Sequence, residues 1–157
     1  MNQNSKYGNT PLHDAAFAGD TQQICTLLAT GVLIDALNND GETALHLAVI
    51  KNHTQTVKAL LAAGAAVDLQ NNFGNTVIIN AASNGNPAIL QILVQAKGNL
   101  NLQNKKGLTA LHIAAKKGLS QVIPFLITHG ADTTIVDGQG KKAIDLASDE
   151  QIKTWLL

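Results

Sequence analysis

Arginine is absent from this chain, whose eleven basic residues are all lysine. That removes the side chain best suited to bidentate recognition of phosphate or guanine. Cysteine occurs once, at Cys25, so no internal disulfide can form and a reducing compartment fits best. Aromatic residues number five, Tyr7, Phe17, Phe73, Phe125 and Trp155, although 45% of the chain is hydrophobic. The apolar content is therefore mostly Ala, Leu, Ile and Val, which suits closely packed helices. No apolar run approaches the roughly 20 residues that a membrane span needs. The opening stretch MNQNSKYGNT lacks the apolar core of a signal peptide. A cytoplasmic protein that avoids membranes is the expectation.

An excess of either charge is also missing, since eleven lysines balance eleven Asp and Glu. No global field points to nucleic acid or a membrane surface. The balance is uneven along the chain, however. Residues 1–78 hold three lysines against six acidic residues, a net −3, and residues 79–157 hold eight against five, a net +3.

What is present is a repeat. Gly8, Gly41, Gly74, Gly107 and Gly140 are spaced by 33 residues each time. In the same phase run Thr10, Thr43, Thr76 and Thr109; Leu12, Leu45, Ile78, Leu111 and Ile144; and Ala15, Ala48, Ala81, Ala114 and Ala147. Ile24, Val57, Leu90 and Ile123 form a further column, and Leu27, Leu60, Leu93 and Leu126 another. The period settles an ambiguity in FGNTVIINAASNG (73–85), whose Val77-Ile78-Ile79 run taken alone reads as a strand after a turn. In register with the other copies the run is a helix start, and tertiary context overrides its β-propensity.

The copies open GNTPLHDAA, GETALHLAV, GNTVIINAA and GLTALHIAA, and residues 127–132 read ITHGAD. Here the chain resembles the ankyrin repeat family, whose hallmark is T-P-L-H-x-A in a 33-residue unit. The resemblance implies an all-α solenoid of stacked helix-turn-helix units joined by β-hairpin loops. It divides a single domain, 1–157, into repeats at about 7–39, 40–72, 73–105 and 106–138, with a C-terminal cap at 139–157.

Local chemistry agrees. Thr10 can cap a helix with Pro11 at its first position, where no amide hydrogen is needed, and Asn86-Pro87 repeats the arrangement. Leu12, Ala15 and Ala16 share one helical face. Gly31, Gly64 and Gly130 sit where a helix ends in a left-handed conformation, while Lys97 holds that place in the third copy with Gly98 one position late. Pro124 implies that the second helix of repeat four either starts late or is kinked. Ser148 and Gln151 suggest a capping box for the final helix, whose Ile152, Trp155 and Leu156 can cover the last core face.

Chemistry-bearing residues are few. His13, His46 and His112 occupy the histidine of the repeated motif, and the resemblance gives them hydrogen bonds between loops of neighbouring repeats. Ile79 interrupts the row, and the ligands of a zinc ion must converge within about 2 Å of it. His53 and His129 are expected at the surface, and Cys25 on the outer face of its helix. No carboxylate pair, nucleophile elbow or glycine-rich phosphate loop is visible, so neither catalysis nor a cofactor or metal is expected.

The resemblance implies that a partner protein binds at the hairpin tips and the concave face of the first helices. The corresponding positions are Tyr7, Phe17, Asp40, Glu42, Ile50, Lys51, Phe73, Asn75, Lys105, Lys106, Leu108, Lys116 and Lys117. Tyr7, Phe17, Ile50, Phe73 and Leu108 are apolar where exposure is expected, with Phe73 and Ile50 as the anchors. The lysines of repeat four, with Lys141 and Lys142 nearby, make one end basic, and Asp14, Asp40 and Glu42 make the other acidic. Asn101 occupies a family position that is hydroxylated in some members. The expectation is a non-catalytic interaction module, monomeric when unbound. A structural or regulatory subunit is the nearest rival, and a lysine-mediated nucleic-acid binder a weaker one, for want of Arg and of interleaved aromatics.

Overall fold

The computed structural model describes residues 6–157. The first five residues, which begin the MNQNSKYGNT stretch, lie outside the described residues. Among the described residues ten helices form and no strand does. The helices come in pairs: α1 (Pro11–Ala18) with α2 (Thr21–Ala29), α3 (Ala44–Ile50) with α4 (Thr54–Ala62), and α5 (Val77–Asn84) with α6 (Pro87–Gln95). Next come α7 (Ala110–Lys117) with α8 (Val122–Thr128), and a short α9 (Ala143–Leu146) with α10 (Glu150–Leu156). First helices stack on first helices, α1 on α3 on α5 on α7 on α9, while α2, α4 and α6 stack in a second layer. This is an all-α solenoid.

The start of the first helix in each full repeat is written in the threonine column, whose place before α9 is taken by Lys142. Thr10, Thr43, Thr76 and Thr109 all hold extended backbone at the N-cap, and the last three accept the amide hydrogen of the residue three on. Such a cap contributes about 1 kcal/mol. VIIN accordingly forms the first turn of α5, with Val77, Ile78 and Ile79 all buried. Asn86 caps α6 by accepting from Ile89 N, with Pro87 at the first helical position.

The core is the set of repeating columns. Ala48, Ala81 and Ala114 are fully buried, which lets first helices approach closely, and Leu45, Ile78 and Leu111 fill the space beside them. Leu60, Leu93 and Leu126 are fully buried in the second layer, whereas Leu27 is only partly so, since α2 begins the stack. Each such leucine contributes roughly 1.5–3 kcal/mol through burial. No copy could bury its face alone, so the stability is a property of the stack.

Three details differ from expectation or resolve an open choice. Asp149, not Ser148, caps α10: its carboxylate accepts from Gln151 N and Ile152 N, a charged acceptor taking two amides at the positive end of the helix. The second helix of repeat four starts late. α8 begins at Val122, so Pro124 falls within its first turn, where its missing N–H costs nothing. Lys97 itself adopts the left-handed conformation (φ 62°), while Gly98 does not. At the far end Ile152 and Leu156 are buried, with Trp155 packed against the same core.

The loops between pairs turn back as tight hairpins too short to count as strands. Asn38, Asn71, Asn104 and Asp137 each donate their N–H across the turn, to Glu42 O, Asn75 O, Leu108 O and Lys141 O. Each hairpin then bonds to the one before it, Asn39 N to Tyr7 O, Asn72 N to Asp40 O, Lys105 N to Phe73 O and Gly138 N to Lys106 O. This close approach explains the glycine column. Gly74 has φ 77°, and a Cβ there would lie 2.6 Å from Lys105 N. Both the left-handed backbone and the neighbouring hairpin exclude a side chain.

Candidate binding face

Polar side chains stitch the first helices and hairpins together in four ladders, and these decide which surface residues remain free. The first is the histidine column. Thr43 N and Oγ1 lie 3.3 and 2.9 Å from His46 Nδ1, so Nδ1 is the acceptor and Nε2 carries the proton. Nε2 then donates to Asn75 O in the next hairpin at 3.2 Å. His13 bridges to Glu42 O (2.8 Å) and His112 to Lys141 O (3.1 Å) in the same way. Burial holds the His46 imidazole below its ordinary pKa, against the backbone carbonyls of Asn75 and Leu69, which favour the proton. Ile79 supplies no such bridge, so the hairpin at Leu108 lacks the imidazole that its neighbours receive.

The second ladder runs through the hairpin amides. Asn38, Asn71, Asn104 and Asp137 each accept two backbone amides within their own turn, as Asn71 Oδ1 does from Phe73 N and Asn75 N. Asn38 Nδ2 also donates to Asn9 Oδ1, and Asn104 Nδ2 to Asn75 Oδ1. Where the residue 29 places earlier is Leu108, the partner is Asp137, which has no N–H to offer. The third ladder is glutamine. Gln70 Nε2 joins Gly74 O and Gln103 O, and Gln103 Nε2 joins Gly107 O and Val136 O. Repeat one has Leu37 there, 57% exposed.

The fourth ladder caps the C-termini of first helices from the following repeat. His53 Nε2 bonds to Phe17 O, Asn84 Nδ2 donates to Val49 O and Ile50 O, and Lys117 Nζ donates to Ser83 O and Oγ. A donor at these carbonyls meets the negative end of the helix.

The expected binding residues now separate. Tyr7 (55% exposed), Phe17 (50%) and Phe73 (65%) stand in solvent. Ile50 and Leu108 do not match the exposure expected of them: both are half-buried, Ile50 at the end of α3 beneath the Asn84 amide and Leu108 at the base of its hairpin. Lys51 Nζ lies 4.2 Å from the centre of the Phe17 ring, a cation–π contact that joins two of the expected residues. Asn75 is committed to Asn104, and Lys117 to Ser83. Glu42 is half-buried, and that burial, with Asp40 adding to it, raises its carboxyl above the ordinary value against the amides of Asn38 and Asn71. Asp40 is exposed. His53 is half-buried rather than at the surface, and Asn101 ties Asp132 N and Gly130 O into the inter-repeat bonding.

Lys105, Lys106, Leu108 and Lys116 do come together. They border two adjoining hollows on the hairpin side of the first helices. One, of about 370 Å³, runs from Phe73 past Ile79, Asn80 and Ser83 to Ile113. The other, of about 690 Å³, continues to Asp137, Lys141 and Leu146. Asn80 was not among the expected residues, although its column reads Asp14, Leu47, Asn80, Ile113, Leu146. A polar residue between Leu47 and Ile113 was the available signal. Its Nδ2 is the one buried side-chain polar atom without a hydrogen-bond partner among the described residues. The only ion pair among the described residues is Lys153–Glu150, so the groove lysines are unpaired.

No group of three or more His, Cys, Asp or Glu among the described residues is placed to hold a metal ion. No helix among them is long and apolar enough to cross a membrane. Cys25 is exposed.

A family model described as ankyrin repeats (3 copies) matches residues 1–71, 53–137 and 78–154. No curated protein matches the chain. Ankyrin repeats generally serve as protein–protein interaction modules and are typically non-enzymatic. With matched segments that together span residues 1–154, and with helix pairs stacked at the 33-residue period, the chain belongs to the ankyrin repeat family.

Proposed function

We propose that this protein is a non-catalytic adaptor that binds another protein through the groove and hairpin tips of its first-helix side. The observation that carries this reading is the groove from Phe73 to Leu146, apolar at its base and rimmed by unpaired lysines. Exposed aromatic side chains beside a concave surface are the usual anchors of protein interfaces, because they bury large area at low entropic cost. The repeats read as four full units and a closing segment in one domain, working in the cytoplasm, where a single exposed thiol is tolerated.

The test is capture from lysate with the native chain and with a Phe17→Ser/Phe73→Ser variant. Phe73 is largely exposed and Phe17 gives up only its contact with Lys51, so the variant should lose no more than about 1–2 kcal/mol and remain folded, which its urea unfolding checks. A protein retained by the native chain and lost by the variant supports the reading. Equal capture by both would place binding elsewhere.

A second reading, a subunit built into a larger assembly, draws on the open end of the stack. Val32, Leu33 and Leu37 are exposed there, Leu33 to 74%, on the loop after α2. Such a patch at a solenoid terminus is where a further packed unit would sit.

A further inference from the structure

We infer that the groove over repeats three and four and the closing segment takes an acidic peptide segment of the partner, one that carries an apolar side chain among its carboxylates. This rests on the protein-binding reading above and specifies the partner's chemistry. The first argument is charge. Lys105, Lys106, Lys116 and Lys141 border the two hollows and form no ion pair. Asp137 is the only carboxylate lining them, and its Oδ1 is taken up by Gln139 N and Lys141 N. Four lysines against the single negative charge of Asp137, which Lys141 partly offsets, leave the groove net positive. All four border the same larger hollow, so a charged group seated there meets them together. Complementary charge of this kind speeds encounter and fixes orientation.

The second argument is the base of the groove. Phe73, Ile79, Leu108 and Ile113 line the smaller hollow, which at about 370 Å³ has room for a large apolar side chain. An acidic segment with no apolar residue would leave that surface wet.

The third is Asn80. Its side-chain Nδ2 is a donor without an acceptor among the described residues, and Asn80 lines the same hollow. An acceptor brought by the partner, whether a backbone carbonyl or a carboxylate, would satisfy it once the side chain turns. Repeats two and four have Leu47 and Ile113 at this position and incur no such cost.

Nucleic acid fits less well. Lysine presents a point charge rather than the planar fork that grips phosphate or guanine, and Arg is absent from the chain. Single-strand binders stack successive bases on several aromatic rings, and here Phe73 is the only ring lining the groove.

The test is selection of a random peptide display library on the full chain, with native protein, Lys106→Glu/Lys116→Glu and Lys58→Glu. Lys58 is exposed on α4, away from the groove, and Lys117 is left intact because it caps α5. Enriched peptides should place Asp and Glu around a Leu, Ile, Phe or Met. Their affinity should be kept by Lys58→Glu and fall at least about tenfold in the double variant, and it should weaken with added salt. Enrichment of neutral or basic peptides overturns the inference, as does no enrichment at all or equal affinity for the double variant. Single-stranded oligothymidylate bound as tightly as the best peptide would also overturn it. If the acidic assignment fails while capture still depends on Phe17 and Phe73, the adaptor reading stands without it. If both fail, the groove is not the binding face.

Discussion

Replacing Asn80 with leucine should make the free protein more stable. Asn80 Nδ2 is buried with no acceptor, and such a group costs about 1–3 kcal/mol relative to an apolar side chain of similar shape. Leucine branches at the same carbon as asparagine, and the equivalent places in the neighbouring repeats already hold Leu47 and Ile113. Beside Ile79 and Ile113 the new methyl groups gain apolar contact, which adds to the effect. For a chain of this size each kcal/mol raises Tm by roughly 2–4 °C. Asn80→Leu should therefore shift Tm upward by at least about 2 °C, read by far-UV circular dichroism. The urea midpoint should rise in parallel with an unchanged slope. The reverse replacement, Ile113→Asn, should destabilise by a similar amount. An Asn80→Leu variant that is unchanged or less stable would refute the reasoning, because the amide would then be satisfied. A gain in stability coupled to weaker partner binding is the pattern of a residue kept for function.

Three further predictions follow from the ladders. His46→Ala removes a fully buried bridge and leaves the buried amide of Thr43 without its acceptor, so it should cost about 3–5 kcal/mol in urea unfolding. Because burial lowers the pKa of His46 in the folded state, its contribution is complete above the ordinary histidine value. It is lost as pH falls from there through the folded value, and the alanine variant should lack that part of the pH–stability profile. Leu37→Gln should extend the glutamine ladder towards Gly41 O and Gln70 O and stabilise by about 0.5–1.5 kcal/mol for each bond made; no gain in Tm would show that the first hairpin cannot supply those acceptors. The raised carboxyl of Glu42 makes its ionised form a burden at neutral pH. Glu42→Gln should be more stable there, with the difference shrinking as pH falls through the folded pKa, and a constant difference would argue against burial as the cause.

Much of the architecture was legible because period and chemistry coincide. The 33-residue columns mark α5 as a helix despite Val77-Ile78-Ile79, because the threonine cap before it and the alanine pair behind it belong to the stack. The histidine bridges were legible through the family's motif. Exposure of single side chains was harder to read. Ile50 shares a column with the exposed Phe17 and Lys116, yet the Asn84 amide crosses over the end of α3, while the column of Leu108 is half-buried at Asn9, Glu42 and Asn75 too. Leu108 is held within its own turn by Asn104, four places before it, whereas the Asn84 contact reaches Ile50 from 34 places away, a reach the sequence leaves unspecified. The same is true of Lys117, which reads as one cation among several until its ammonium group is seen on Ser83. Asn104 illustrates the converse. Its pairing with Asn75, against Asp137 opposite Leu108, is visible in the sequence only to someone comparing positions 29 apart.

The central claim is that a protein partner occupies the concave groove, and amide hydrogen exchange with the captured partner bound tests it most directly. Binding should slow exchange at residues 72–84, 104–117 and 137–146 and leave the outer helices α2, α4, α6 and α8 at their free rates. Protection confined to those outer helices, or to the loop after α2, would contradict the account.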